Sequence, residues 1–65
     1  MTPEQVMLLT AQKLQALIDQ KHIFHASVNV WPRVILDLHE EEWAMADPEI
    51  KQFVKDNSIV VETWT

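Results

Sequence analysis

The chain has 65 residues and no glycine. Average usage of about 7% would place roughly four or five in a chain this long. Glycine is the residue that enters left-handed backbone without steric cost. Turns are therefore expected to rest on Pro, Asn and Asp. The same absence excludes glycine-rich phosphate loops, whose backbone must come close to its ligand.

Length sets the second constraint. Residues 1–65 make a single domain. A chain of this size buries only about 60% of its unfolded surface, so its core is small. No Cys is present, which removes disulfides and thiolate metal sites and favours a reducing, cytoplasmic setting. Three Trp and two Phe supply the large apolar area instead. The first twenty residues lack the basic start and unbroken apolar run of a secretory leader. No apolar stretch approaches the roughly 20 residues that span a bilayer. The expectation is a soluble protein with no membrane partner.

Helix signals open the chain. Thr2 can cap, Pro3 suits the first helical position, and Gln5 completes a capping box. Met7, Ala11, Leu14 and Ile18 follow at helical spacing, flanked by Val6 and Leu17, and the helix should end near Asp19–Lys21. Leu9 falls opposite that stripe and hints at a second contact surface.

Phe24 to Leu38 reads as a β-hairpin. With Trp31-Pro32-Arg33 as a three-residue loop, Val30 faces Val34, Val28 faces Leu36 and Ala26 faces Leu38, all on one side. The other side then pairs Asn29 with Ile35, Ser27 with Asp37 and His25 with His39. A register shifted by two keeps the faces in phase and is the second choice. Glu40 to Ala46 reads as a helical turn. Asp47 caps and Pro48 starts a helix running to about Asp56. Trp43, Ala46, Ile50, Phe53, Val54 and Asn57 keep helical period across Pro48. Asn57-Ser58 ends that helix, and Ile59 to Thr63 is the last strand.

The expected fold is a small α+β domain of order α-β-β-α-β, with a three-stranded sheet and two helices packed on one face. A helical crossover leaves the second and third strands parallel. They either lie side by side or flank the first strand as in a split unit, and the split order is preferred. Ile35, with Val60 or Trp64, then interrupts an otherwise polar second sheet face.

Charge is uneven. Residues 1–36 carry two acids and three bases, whereas residues 37–65 carry eight acids and two bases. The densest run is Asp37, Glu40, Glu41, Glu42, Asp47 and Glu49, with no Lys or Arg between Asp37 and Glu49. A net charge of −5 lacks the footprint of direct nucleic-acid binding. The acids either meet a basic protein surface or complement helix N-termini. They form no pocket for acid–base catalysis, and the chain is read as a non-enzyme without a cofactor.

Three further groups are candidate sites. Trp31 and Arg33 at the hairpin tip are of the types enriched at binding hot spots, unless Trp31 folds back over the core. Trp64 stands near the C-terminus, where it must be held by a neighbour or a second chain or stay loose. His25, His39 and Asp37 form the one cluster resembling a metal site, set against the simpler reading of polar residues on a solvated face. Together these residues indicate a small acidic protein-interaction module and an expected homodimer, contacting its partner through Trp31, Arg33, Ile35, Leu9, Trp64 and Glu40–Glu42. Its composition is of the kind frequent in phage and mobile-element accessory proteins. Three alternatives stand beside it: an acidic inhibitor mimicking nucleic acid, a metal-binding module built on His25 and His39, and a structural subunit of a larger assembly.

Overall fold

The computed structural model describes residues 1–23 and 25–65. Phe24, the expected start of the hairpin, lies outside the described residues. Helix α1 spans Pro3–Gln20 and begins with the expected box. The Gln5 N–H donates to Thr2 Oγ1 at 3.2 Å, and the Thr2 N–H donates to Gln5 Oε1 at 3.0 Å. Two of the helix's orphan donors are satisfied in this way. Ala11, Leu14 and Ile18 are its buried residues, while Val6, expected beside the stripe, is exposed with Leu8 and Leu9.

The chain turns left-handed at residues other than those expected. His22, His25 and Ser58 take φ of 56°, 66° and 53°. Two of them end helices. After α1, the His22 N–H donates to the Asp19 carbonyl at 3.2 Å and the Ile23 N–H to the Ile18 carbonyl at 3.1 Å. After α3 (Pro48–Asp56), Ser58 N–H donates to Lys55 at 3.3 Å and Ile59 N–H to Val54 at 3.0 Å. Both are Schellman ends, whose closing contact sets an apolar residue beyond the helix against one in its last turn. Ile23 with Ile18, and Ile59 with Val54, supply those apolar pairs. Packing thus holds His22 and Ser58 in a conformation that costs an L-residue roughly 1–2 kcal/mol.

The hairpin has the preferred register. Strand β1 (Ser27–Asn29) runs antiparallel to β2 (Ile35–His39), with Ser27 opposite Asp37, Val28 opposite Leu36 and Asn29 opposite Ile35. Strand β3 (Val60–Trp64) lies parallel to β2, pairing Ile35 with Val60 through to His39 with Trp64. The sheet order is β1-β2-β3, so the preferred split order is corrected: the second and third strands are neighbours. Strand lengths explain the choice. β1 offers three ladder residues, whereas β2 offers β3 a full five-residue ladder.

Between β2 and α3 the expected turn is a separate short helix, α2 (Glu40–Ala44), making the order α-β-β-α-α-β. The apolar face expected across Pro48 is divided accordingly. Ile50 and Val54 enter the core, while Trp43 and Phe53 pack half-buried at its margin. Val34, Leu36 and Leu38 meet Ala11, Leu14 and Ile18 from α1, Ile50 and Val54 from α3, and Ile59. Among the described residues the nine that form the core are all apolar, and the two longer helices cover one face of the sheet. Among the described residues, no helix is long and apolar enough to cross a membrane.

Candidate functional site

Burying one face of β2 defines the other, because successive side chains alternate. Residues paired across neighbouring strands point the same way, so the uncovered face is ordered in rows. One row is Asn29, Ile35 and Val60; the next is Ser27, Asp37 and Glu62; the last contains His39 and Trp64. At about 3.3 Å per residue, the outer rows lie roughly 13 Å apart along β2. The face is apolar at Ile35 and Val60, acidic through the middle, and aromatic at the far end. Among the described residues, these rows contain no Lys or Arg.

Trp64 is held as the last residue of the β3 ladder, yet 43% of its surface remains exposed. Asp37 accepts a hydrogen bond from the Asn29 side-chain amide, its diagonal neighbour across the hairpin. His39 ends β2 and also caps α2: the Glu41 N–H donates to His39 Nδ1 at 3.1 Å. That bond requires an unprotonated Nδ1, so the neutral ring carries its proton on Nε2. Glu40, Glu41 and Glu42 follow in the first turn of α2. His25, His39, Glu41, Glu42 and Trp64 then line a hollow of about 410 Å³ at this end of the face.

The structure brings together two of the three residues considered for a metal. His25 and His39 share the hollow, but Asp37 turns to Asn29 and His39 Nδ1 is occupied as a cap. Among the described residues, no group of three or more His, Asp or Glu is placed to hold a metal ion. His25 lies outside the ladder, which ends at Ser27, and its left-handed backbone carries the chain away from strand geometry.

The acidic run is likewise divided by the fold. Asp37 lies on the sheet face, and Glu40–Glu42 sit on α2. Asp47 and Glu49 instead begin α3, where Asp47 Oδ1 caps the Glu49 N–H at 2.8 Å. Lys21 Nζ, just past the end of α1, stands 3.4 Å from both Asp47 Oδ2 and Glu49 Oε1. The Glu49 backbone N–H, followed by the Lys21 charge, holds the Asp47 carboxyl below its ordinary value. The hydrogen bond to Glu49, then the Asp47 charge, raises the Lys21 ammonium above its own. Lys51 is also tied to the helical layer. Its Nζ donates to the Ala44 carbonyl at 3.3 Å and lies 5.7 Å from the centroid of the Trp43 ring, within cation–π range.

Trp31 at the hairpin tip does not fold back over the core; it is 72% exposed, beside exposed Arg33. Leu9 is exposed on α1, whose buried residues cover the opposite side of the sheet, so it does not join the open-face residues. Glu62 is the open-face residue that sequence reading missed. Alternation within Val60–Trp64 places Glu62 with Val60 and Trp64, but its row partner Asp37 follows only from β3 lying beside β2. Comparisons with protein-family models, with curated proteins and with solved structures find no match to this chain.

Proposed function

We propose that this protein is a binding module that acts by occupying the surface of another protein, with the open sheet face as its contact surface. One observation carries the reading: Ile35, Val60 and Trp64 interleave with Asp37 and Glu62 on the face opposite both longer helices. Apolar and aromatic side chains supply the desolvated centre of such a contact. The carboxylates favour encounter with a basic surface and oppose an acidic one. Trp31 and Arg33 extend the contact beyond the Asn29–Ile35 row.

Self-association is the second reading, and β3 is what favours it. It is an edge strand among the described residues, five residues long, with no Pro or Lys to blunt it. Two copies joined edge to edge through β3 would form one continuous sheet. Face-to-face pairing of the open surfaces is disfavoured, because Asp37 and Glu62 would meet their counterparts.

Site-specific photo-crosslinking in the native host tests both. A photoreactive residue replaces Ile35, Glu62 or, as a control on α3, Gln52. Discrete adducts with another protein from positions 35 and 62, and none from 52, support the module. An adduct of twice the chain mass from position 62 supports the homodimer. Equal adducts from all three positions, or none from the open face, overturn the contact surface.

A further inference from the structure

The hollow beside Trp64 has a composition that the rest of the open face lacks. Two carboxylates, Glu41 and Glu42, share its wall with an indole and two imidazoles. Glu42, whose Oε2 is buried without a hydrogen-bond partner among the described residues, stands between this hollow and a neighbouring one lined by Lys21, Glu41 and Met45. Buried carboxylate oxygens are ordinarily matched by a donor, and leaving one unmatched is unfavourable. Among the described residues, neither Glu41 nor Glu42 forms an ion pair with a Lys or Arg; the nearby Lys21 is engaged by Asp47 and Glu49. The hollow therefore combines a half-exposed indole with unpaired negative charge.

One side-chain chemistry answers both. A guanidinium is planar, stacks on indole faces, carries five N–H donors and pairs with carboxylates in a fork. We propose that the hollow formed by His25, His39, Glu41, Glu42 and Trp64 receives an arginine side chain of the bound partner. This deepens the binding-module reading and rests on it for the source of the arginine. The rest of the partner segment would then lie along the Asp37–Glu62 and Ile35–Val60 rows, toward the hairpin tip. A lysine satisfies the charge but offers no plane to stack and no fork.

The test needs no partner. Nα-acetyl-argininamide is titrated into the full chain while the indole N–H signals of its three Trp are followed by NMR. The signals are first assigned by Trp→Phe substitutions made one at a time. The Trp64 signal is expected to move saturably, with a dissociation constant in the millimolar range, while Trp31 and Trp43 stay in place. Nα-acetyl-citrullinamide, which has the same shape without the charge, is expected to move none of them. Glu42→Gln, which keeps the side chain's size, should weaken binding about fivefold or more with the remaining spectrum unchanged. Trp64→Leu should weaken arginine binding as read from the His39 ring signals. Equal shifts from the citrulline compound, shifts at exposed Trp31 as large as at Trp64, or an unmoved Trp64 signal would overturn the proposal. Failure here with open-face crosslinks intact removes the arginine site alone. Arginine binding without such crosslinks removes the protein-partner reading and leaves the hollow.

Discussion

The two faces of β2 are built from alternate residues of one five-residue strand and obey different constraints. Leu36 and Leu38 are almost wholly buried against α1 and α3, while Ile35, Asp37 and His39 between them are only partly covered. The covered face is uniformly apolar, as a core of this size requires. The open face mixes apolar, acidic and aromatic side chains that no packing rule demands. Charge follows the same division. Lys21 and Lys51 are tied into the helical layer, whereas Asp37 and Glu62 face outward with no base in their rows. The core lies on one side of the sheet, and packing leaves the composition of the other side unconstrained.

Substitution of adjacent residues in β2 gives the largest expected contrast. Leu36→Ala removes a fully buried side chain and should cost about 2–5 kcal/mol. A core this small supplies only about 3–5 kcal/mol, so the variant should be largely unfolded by circular dichroism and show no cooperative urea transition. Ile35→Thr keeps the β-branched shape on the open face and should cost less than about 1 kcal/mol. Equal losses at the two positions would mean that the second face is packed as tightly as the first, as in an obligate dimer.

Next in size is the backbone leading from the covering layer into the sheet. Ser58 turns α3 into β3 with φ of 53°. Ser58→Gly should raise stability by about 0.5–1 kcal/mol, because glycine reaches that conformation without steric penalty. A decrease in the urea midpoint would place more weight on the flexibility that glycine adds to the unfolded chain. This position also marks a limit of sequence reading. Asn57-Ser58 was legible as a helix end, but the residue in the left-handed position depends on Ile59 packing against the last turn.

Other features divide in the same way. The Thr2–Gln5 box, the Asp47 cap and the hairpin register are local, and their residue types and alternation specify them. Strand order is not local: the 20 residues between β2 and β3 (residues 40–59) can reach the free edge of either hairpin strand, and ladder length decides. The face of Ile35 was legible from alternation, but the row joining Asp37 to Glu62 was not. Nor was the division of the acidic run, because nothing near Lys21 in sequence shows that it meets Asp47 and Glu49. Of the hollow, alternation brought His25 and His39 together, but their meeting with Glu41, Glu42 and Trp64 was not legible, since it joins α2 and the end of β3 to them.

The paired charges of the helical layer should give stability a modest pH dependence. Asp47 is held below the ordinary carboxylate value of 3.8. Its contribution is therefore complete above that value and is lost as the pH falls through the lowered one. Lys21 is raised above 10.5, so its contribution is complete below 10.5 and is lost as the pH rises through the raised value. Asp47→Ser keeps a capping oxygen but removes the charge. Between pH 7 and 3 the variant should lose less of its melting temperature than the parent, by a few degrees at most because these groups face solvent. An identical acid limb in both proteins would show that the Lys21 contact and the charged cap contribute nothing measurable.

The smallest effect expected on stability is also the one that best separates the roles of the two faces. Glu62 lies beside Asp37 in the parallel ladder, and like charges on neighbouring strands repel. Glu62→Gln should therefore raise stability by roughly 0.2–1 kcal/mol, most clearly at low ionic strength. The same substitution removes half of the open face's central charge, so it should slow association with a basic partner and flatten the salt dependence of that association. A residue present for stability would fail in the opposite sense, with its substitution lowering the urea midpoint and leaving binding unchanged. A small gain in stability together with a loss of binding is the outcome expected of a carboxylate retained for what it meets outside the molecule.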